Sequence, residues 1–212
     1  NPKIKVIAVE PSGANCLQAS LKAGKVMTLP VVNTIADGTA VHRPGEKLFA
    51  YLQENVDDVI TIEDSELIVA FLDMVENHKM IVENSGLLTV AALKHMDVKK
   101  KKIVSILSGG NMDVITMSSV VQHGLIQRDR IFTVSVLLPD KPGELAKVSA
   151  LLAEEKGNVI KLEHNQFISI NRNAAVELRI TLEAEGTVHK NQIVQRLNDE
   201  GYRPRLVKSK GM

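Results

Sequence analysis

The sequence of 212 residues contains few aromatic residues and almost no cysteine. Aromatic residues make up 3% of the chain and tryptophan is absent, so the stacked rings that bind single-stranded nucleic acid are not expected. Cys16 is the only cysteine, which excludes an internal disulfide and a zinc site built from cysteines. The formal net charge of +1 gives no electrostatic reason to expect a nucleic-acid partner.

Long apolar runs are also missing. No run approaches the roughly 18 residues that a membrane-spanning helix needs, and the first residues lack the apolar core of a signal peptide. With 44% hydrophobic and 24% charged residues, the composition is that of a globular protein. We therefore expect a cytoplasmic α/β protein with neither a membrane nor a nucleic-acid partner. Because a strand follows Asn1 almost at once, we expect a piece of a longer protein.

The first half of the chain alternates short apolar runs with amphipathic segments of helical spacing. The run at residues 103–107 is continuously apolar, as buried parallel strands tend to be. Residues 25–47 hold prolines and glycines and are expected to be irregular. The alternation predicts part of a doubly wound parallel sheet. The expected strands are residues 5–9, 59–62 and 103–107, and the expected helices are residues 14–23, a segment capped by Asp64, 87–95 and 111–123, the last ended by Gly124.

The second half follows a different order. Polar residues at 126–130 predict a linker between a first domain, residues 1–125, and a second, residues 131–208. The second domain has the order β-α-β-β-α-β, which is the ferredoxin-like plan. Its expected strands are residues 131–138, 159–170, 174–182 and 202–207, with a hairpin at 171–173, and its expected helices begin near Pro142 and span 188–198.

Residues 107–111 (Leu-Ser-Gly-Gly-Asn) carry the strongest local signal for a ligand site. They follow an apolar run and open a helix, at the end of a strand where α/β proteins bind ligands. Gly109 lets a ligand approach the backbone, and the Ser108 hydroxyl can donate or accept a hydrogen bond. A tight turn with Asn111 as the helix cap is the alternative interpretation.

Three other polar positions come directly after apolar runs or lie in turns. Glu10 is interpreted as a cation ligand or, more readily, as the cap of the next helix. Glu83 is either a site residue or a charge at a helix N-terminus. The pair Asp37-Gly38 indicates a turn, which lines a site or is only a turn.

In the second half, residues 139–145 join the first strand to the first helix. Gly143 permits a close backbone approach, and the N–H groups at the helix N-terminus can accept a carboxylate. An ordinary helix start with Asp140 as its cap is the alternative.

Taken in order, these motifs resemble the C-terminal part of the threonine dehydratases (threonine ammonia-lyases). These are pyridoxal-phosphate lyases of the tryptophan-synthase-β type, also called fold type II. The resemblance is carried by residues 6–11, 35–41, 82–86 and 107–113. Residues 140–145 and 157–159 resemble an ACT domain, a ferredoxin-like module that senses amino acids.

The resemblance implies pyridoxal 5′-phosphate as cofactor, with Ser108 at its ring nitrogen and Gly109, Glu83 and Gly38 around it. It also implies a monovalent or divalent cation bound by Glu10 and the carbonyl of Ala14. The segment from Glu83 to Gly86 reads Glu-Asn-Ser-Gly, whereas Glu-Pro-x-Gly is commoner in the family. The family's Schiff-base lysine and glycine-rich phosphate loop are not in this sequence, so no catalytic residue is assigned and the piece alone is expected to be inactive.

The resemblance further implies partners. The substrate is expected to be threonine, which is converted to 2-oxobutanoate and ammonia. A homodimer or tetramer is expected, with its ACT domains side by side, because unpaired sheet edges are a liability. A non-enzymatic ligand-binding or dimerisation module, and a serine dehydratase or racemase of the same fold, are the alternatives. The effector, a small amino acid such as isoleucine or valine, is expected to contact Asp140, Lys141, Pro142, Gly143, Glu144, Leu145 and Asn158.

Overall fold

The computed structural model describes residues 3–165 and 176–207. The chain forms two compact units, Asn1–Val121 and Gln122–Met212, and each unit has a hydrophobic core of its own. None of the described helices combines the length and apolar character needed to cross a membrane.

The first unit is built on a parallel pair of strands. Strand β1 pairs with strand β2 from Ile7 opposite Asp58 to Pro11 opposite Ile62. Single 3₁₀ turns lie at Ser12–Ala14 and Asp37–Thr39, and others flank helix α4 at Asn84–Leu87 and Ala92–His95. The strands are β1 (Ile7–Pro11) and β2 (Asp58–Ile62), and the helices are α1 (Cys16–Ala23), α2 (Glu46–Asn55), α3 (Asp64–Asp73) and α4 (Leu88–Ala91). Helix α5 (Val114–Gln127) begins in this unit and ends in the second.

Helix α3 organises the core of this unit. The side chain of Glu66 accepts a hydrogen bond from the Glu63 N–H at 3.0 Å, which fixes the start of the helix. Leu67 and Phe71 lie one turn apart on its buried face and belong to the same core as Leu87. The turn at Asn84–Leu87 is therefore held against the core.

Several predictions for the first unit are wrong in their details. The predicted strand at 103–107 does not form, because no described strand pairs with it, and Val104 and Ile106 are 89% and 72% exposed. An apolar run becomes a strand only where a neighbour completes its hydrogen bonds. Of the parallel sheet predicted for the first unit, the described residues form one pair of strands, β1 and β2.

Three helix boundaries also differ from prediction. Helix α5 begins after Asp113, whose carboxylate accepts the Ile115 and Thr116 N–H groups, so Asp113 rather than Asn111 caps it, and it continues past Gly124. Helix α3 is capped by Glu63 and not by Asp64. Helix α2, which begins inside the segment predicted to be irregular, buries only Phe49 and so gave little apolar periodicity.

The second unit has the predicted order β-α-β-β-α-β. Its sheet has the strand order β4-β5-β3-β6, and all neighbours are antiparallel. Alternate residues of β5 (Val176, Leu178, Ile180, Leu182) are buried, as their period of two predicts. The elements are β3 (Ile131–Leu138), α6 (Glu144–Glu154), β4 (Asn158–Asn165), β5 (Val176–Glu183), α7 (Thr187–Asp199) and β6 (Arg205–Val207).

The connections of this unit differ from prediction in two places. The expected linker at 126–130 is helical up to Gln127, and the turn after it has Asp129 at a φ of 56°. Pro142 lies in a turn ahead of helix α6 and not in its first turn, because the cap residue Gly143 has a φ of 92° that interrupts the helical conformation. The predicted hairpin at 171–173 lies outside the described residues.

Candidate functional site

Glu83 and Gly109 form the centre of the candidate cofactor site. A Cβ atom added at Gly109 would lie 2.1 Å from the Glu83 Cδ, so only glycine fits beside this carboxylate. The Glu83 N–H donates to the Gly109 carbonyl at 3.4 Å, and the Asn111 N–H donates to Glu83 Oε2 at 3.1 Å. The segment at residues 109–111 and the turn that begins after Glu83 are thus joined by one backbone hydrogen bond and one hydrogen bond to the Glu83 carboxylate.

Gly38 and Ser108 belong to the same cluster. A Cβ atom at Gly38 would lie 2.8 Å from Ser85 Oγ and 3.4 Å from Glu83 Oε1. One at Gly86 would lie 1.8 Å from the Ser108 carbonyl oxygen. The structure therefore brings together all four predicted cofactor residues, Gly38, Glu83, Ser108 and Gly109, around the turn at residues 83–86.

The loop that carries Gly38 is held by side chains from two directions. Thr34 Oγ1 donates to Asp64 Oδ1 at 2.6 Å, and the Ile35 N–H donates to Asp64 Oδ2 at 3.0 Å. The Asn84 side-chain amide donates to the Ile35 carbonyl at 3.0 Å. These contacts replace the strand pairing that this loop lacks.

A cleft of about 500 Å³ opens next to the cluster. Three carboxylates, those of Asp37, Glu83 and Asp113, lie along it, and its described lining contains no lysine, arginine or histidine. Hydrogen bonds from Thr116 hold the pKa of Asp113 below its ordinary value, so this carboxyl is charged at neutral pH. The cleft therefore favours hydrogen-bond donors over anions.

The residues of the cluster fit a polar, planar cofactor. Asn84 Oδ1 and Ser85 Oγ are buried and have no hydrogen-bond partner, which is costly unless a ligand supplies one. Gly38 and Gly109 let the backbone come close to Ser85 and to the Glu83 carboxylate, so these polar groups are gathered beside the cleft. Ser108 is exposed, so its hydroxyl is accessible to a ligand.

Glu10, the predicted cation ligand, acts as a helix cap. Its Oε1 accepts the Leu17 N–H at 2.8 Å, and its Oε2 accepts the Gln18 N–H at 2.8 Å, so both oxygens serve the start of helix α1. Ala14 is buried in the turn just before that helix. Among the residues that the structure describes, no group of three His, Cys, Asp or Glu side chains could hold a metal ion. Capping, the alternative interpretation, accounts for Glu10, and the cation site stays a prediction.

The predicted effector residues do not form one cluster within the unit. The loop at 139–143 follows Leu138, which pairs with Val176 at one end of the sheet. Asn158 pairs with Glu183 at the opposite end and donates its side-chain amide to Glu183 Oε2 at 3.1 Å. Glu144 accepts a hydrogen bond from Lys147 at 2.7 Å, and Gly143, not Asp140, is the cap of helix α6.

Sequence reasoning missed the residues that hold the site together. Asp64 was expected to cap helix α3, but its carboxylate binds the loop at residues 34–35. Asn84 had no assigned role, although its departure from the commoner Glu-Pro-x-Gly motif was a visible signal. Contacts between residues 29 to 49 positions apart cannot be read from local spacing.

Known proteins share much of this sequence. Residues 1–109 match the family described as "Pyridoxal-phosphate dependent enzyme". The chain is 35% identical over 204 residues to the L-threonine ammonia-lyase of Geobacter sulfurreducens, a match that covers 95% of this chain and 51% of that protein. The chain spans about half the length of the curated relatives it matches.

Two solved structures are similar as well. The processed form of threonine deaminase isoform 2 from Solanum lycopersicum is 34% identical with a TM-score of 0.53, over 57% of this chain and 36% of that one. Maize serine racemase is 35% identical with a TM-score of 0.51, over 61% of this chain and 41% of that one. These neighbours support the expected fold, that of the type II pyridoxal-phosphate enzymes. With half of its length matching the family, and with the cluster around Glu83 fitted to such a cofactor, the chain belongs to the pyridoxal-phosphate dependent enzymes.

Proposed function

We propose that this chain is the C-terminal part of a threonine dehydratase, which converts threonine to 2-oxobutanoate and ammonia. The observation that carries the proposal is the convergence of Gly38, Glu83 and Gly109 on one small space. A relative named L-threonine ammonia-lyase, aligned over 95% of this chain, supports the choice of reaction.

The residues of the cluster have separate tasks in this reaction. When bound, pyridoxal 5′-phosphate supplies the electron sink that makes the substrate's Cα–H acidic and lets the β-hydroxyl leave. The Ser108 hydroxyl would hydrogen-bond the ring nitrogen of the bound cofactor, and a neutral hydroxyl would not keep that nitrogen protonated. Such a partner would keep the electron withdrawal by the ring moderate, which suits elimination of a hydroxyl group better than transamination.

Glu83 would orient the cofactor ring. Its carboxylate is fixed by the Asn111 N–H, so it does not have to be ordered when the ring enters. The Schiff-base lysine and the phosphate loop of the family are not among the 212 residues. We propose that both are supplied by the rest of the parent protein, so that the 212-residue chain alone has no turnover.

The same site could serve serine, and the similarity to maize serine racemase favours keeping this candidate. The test is to express the complete reading frame and to supply the cofactor with threonine, L-serine or neither. We expect 2-oxobutanoate from threonine. Pyruvate or D-serine from L-serine, without any product from threonine, would select the serine enzyme instead.

We also propose that the second unit is an ACT-type module that binds a small amino acid between two copies. Val176, opposite Leu138, and Glu183, opposite Asn158, are seven positions apart along β5. At about 3.3 Å per residue, the loop at 139–143 and Asn158 are therefore roughly 23 Å apart. A small amino acid cannot reach both within one copy. In a side-by-side dimer the ligand's carboxylate would meet the backbone near Lys141–Leu145 of one copy and Asn158 of the other.

The edge strand β4 is the proposed dimer contact. It exposes the apolar side chains of Val159, Ile160 and Leu162, with a register irregularity at Ile160, and pairing with a second β4 would cover part of them. The face of the sheet opposite the buried side chains is a poorer contact, because its polar groups are already paired. Ser135 donates to Glu177 at 2.6 Å, and Glu177 accepts a second contact from Arg179 at 3.0 Å.

Sedimentation and calorimetry test this module. Ile160→Lys on β4 should give a monomer, whereas Leu206→Lys on the opposite edge β6, where the native side chain is equally exposed, should leave the dimer intact. Isoleucine or valine should release heat with the wild-type chain and not with the Ile160→Lys variant. A dimer that binds neither amino acid would show that the unit is only a dimerisation platform. If the chain binds the amino acid but the complete protein has no turnover, the non-enzymatic alternative is favoured.

A further inference from the structure

Ile35 has both of its backbone polar groups bound by side chains. Asp64 accepts its N–H at 3.0 Å, and the Asn84 amide donates to its carbonyl at 3.0 Å. Only the NH₂ end of an asparagine can donate to a carbonyl, so the orientation of the Asn84 side chain is determined. Asp64 begins helix α3 and Asn84 begins the turn before Leu87, so the loop is held between two elements of the core.

We propose that Asn84 is a positioning residue that sets the gap between Gly38 and Glu83. Asn84 is 5% exposed, and it directly follows Glu83 in the chain. By holding the Ile35 carbonyl it fixes the loop three residues before Gly38, whose Cα hydrogens face Glu83 and Ser85. The inference rests on the proposed cofactor site, because Gly38 and Glu83 are two of the residues expected to lie around the cofactor.

The position of the contact explains why other bonds do not replace it. The hydrogen bonds inside the loop, from the Ala36 N–H to Thr34 Oγ1 at 3.1 Å and from the Thr39 N–H to the Ala36 carbonyl at 3.0 Å, keep its shape. They do not connect it to the Glu83 turn. Among the described residues, the Asn84 amide supplies the side-chain hydrogen bond that joins the two.

The test compares Asn84→Asp, Asn84→Ala and the control Ser85→Ala in the 212-residue chain. Hydrogen exchange is measured on peptides that cover residues 35–41 and, as a reference for global stability, on peptides from helix α3. We expect exchange of residues 35–41 to be about tenfold faster in both Asn84 variants, with little change in helix α3. In Ser85→Ala, which removes a hydroxyl without a partner, exchange should stay at the wild-type rate.

Two further readouts separate positioning from mere stability. In Asn84→Asp the new carboxyl can donate to the Ile35 carbonyl only when it is protonated, so the variant-to-wild-type ratio of exchange rates should return toward one at acidic pH. Pyridoxal-phosphate absorbance with the complete protein should show about tenfold weaker cofactor binding for Asn84→Ala. Unchanged exchange at residues 35–41, or equal acceleration in helix α3, would overturn the positioning role. A wild-type protein that binds no cofactor would instead refute the proposed function. In that case the hydrogen-exchange rates alone would still decide whether Asn84 positions the loop.

Discussion

Gly109 and Glu83 occupy a space that has room for only one side chain. The backbone of Gly109 has a φ of 81°, a left-handed conformation, and the Glu83 carboxylate lies where a Gly109 Cβ would be. Both the conformation and the contact require glycine here. Gly110, the next residue, has neither restriction, because no heavy atom lies within 4 Å of a Cβ added there.

The two glycines provide a matched pair of variants. Gly109→Ala should lose about 1–3 kcal/mol of unfolding free energy because of the left-handed backbone, and it should weaken cofactor binding by displacing Glu83. Gly110→Ala should be within about 0.5 kcal/mol of wild type and should bind cofactor normally. Urea unfolding and cofactor titration measure both effects. Equal behaviour of the two variants would contradict the geometry.

Ser108→Ala tests the assignment of the ring-nitrogen partner. Losing one hydrogen bond worth about 1.4 kcal/mol in the transition state should lower turnover of the complete protein about tenfold. The folded state should lose no more than about 1 kcal/mol, since Ser108 is exposed. Ser105→Ala is the control, because the Ser105 hydroxyl only donates to the Thr89 carbonyl at 3.3 Å. Turnover that is unaffected by Ser108→Ala would remove Ser108 from the site.

Glu10→Gln distinguishes a helix cap from a cation ligand. The NH₂ group that replaces one carboxylate oxygen cannot accept a hydrogen bond, so either the Leu17 or the Gln18 N–H loses its acceptor. We therefore expect a loss of about 1 kcal/mol in unfolding free energy with or without added cations. The melting temperature of the wild-type chain should not respond to magnesium, potassium or a chelator. A cation-dependent stabilisation that Glu10→Gln abolishes would restore the predicted cation site.

The Asp129–Lys190 pair predicts an acid-sensitive contribution to stability. The Lys190 ammonium, 2.7 Å away, holds the pKa of Asp129 below its ordinary value, and both side chains are at least three-quarters buried. A depressed pKa in the folded state adds stability above the unfolded pKa of about 3.9 and loses it as the pH falls through the folded value. Lys190→Met should therefore destabilise the chain at pH 7 and much less at pH 2.

Urea unfolding of this variant at the two pH values is the measurement. The control Lys161→Met removes the exposed partner of Glu163 and should change stability far less. A Lys190→Met effect that is the same at both pH values would show that the ammonium does not act through the Asp129 charge.

The sequence predicted the second unit well because its signals are local. The period-two pattern of β5 survives intact in the structure, with Val176 through Leu182 alternately buried. Strand β3 has the predicted bounds, Ile131–Leu138. The β-α-β-β-α-β order predicted the ferredoxin-like plan, whereas the register depends on partners far away in the chain and was not predicted.

The first unit was harder to predict for a physical reason. A strand such as the one expected at 103–107 depends on a neighbouring strand, and an apolar run does not supply one. The site residues Glu83, Ser108 and Gly109 were found because they follow apolar runs and because their motifs resemble a family. Asp64 and Asn84, in contrast, act through long-range contacts with Ile35. Residue type alone could not distinguish these roles.

The central claim is that the cluster around Glu83 and Ser108 takes part in the conversion of threonine to 2-oxobutanoate and ammonia. The most direct measurement is the formation of 2-oxobutanoate by the protein expressed from the complete reading frame, with pyridoxal phosphate and threonine. We predict 2-oxobutanoate and ammonia in equal amounts, with a rate about tenfold lower for Ser108→Ala and unchanged for Ser105→Ala. A cofactor-loaded wild-type protein that releases no 2-oxobutanoate from threonine would contradict the claim.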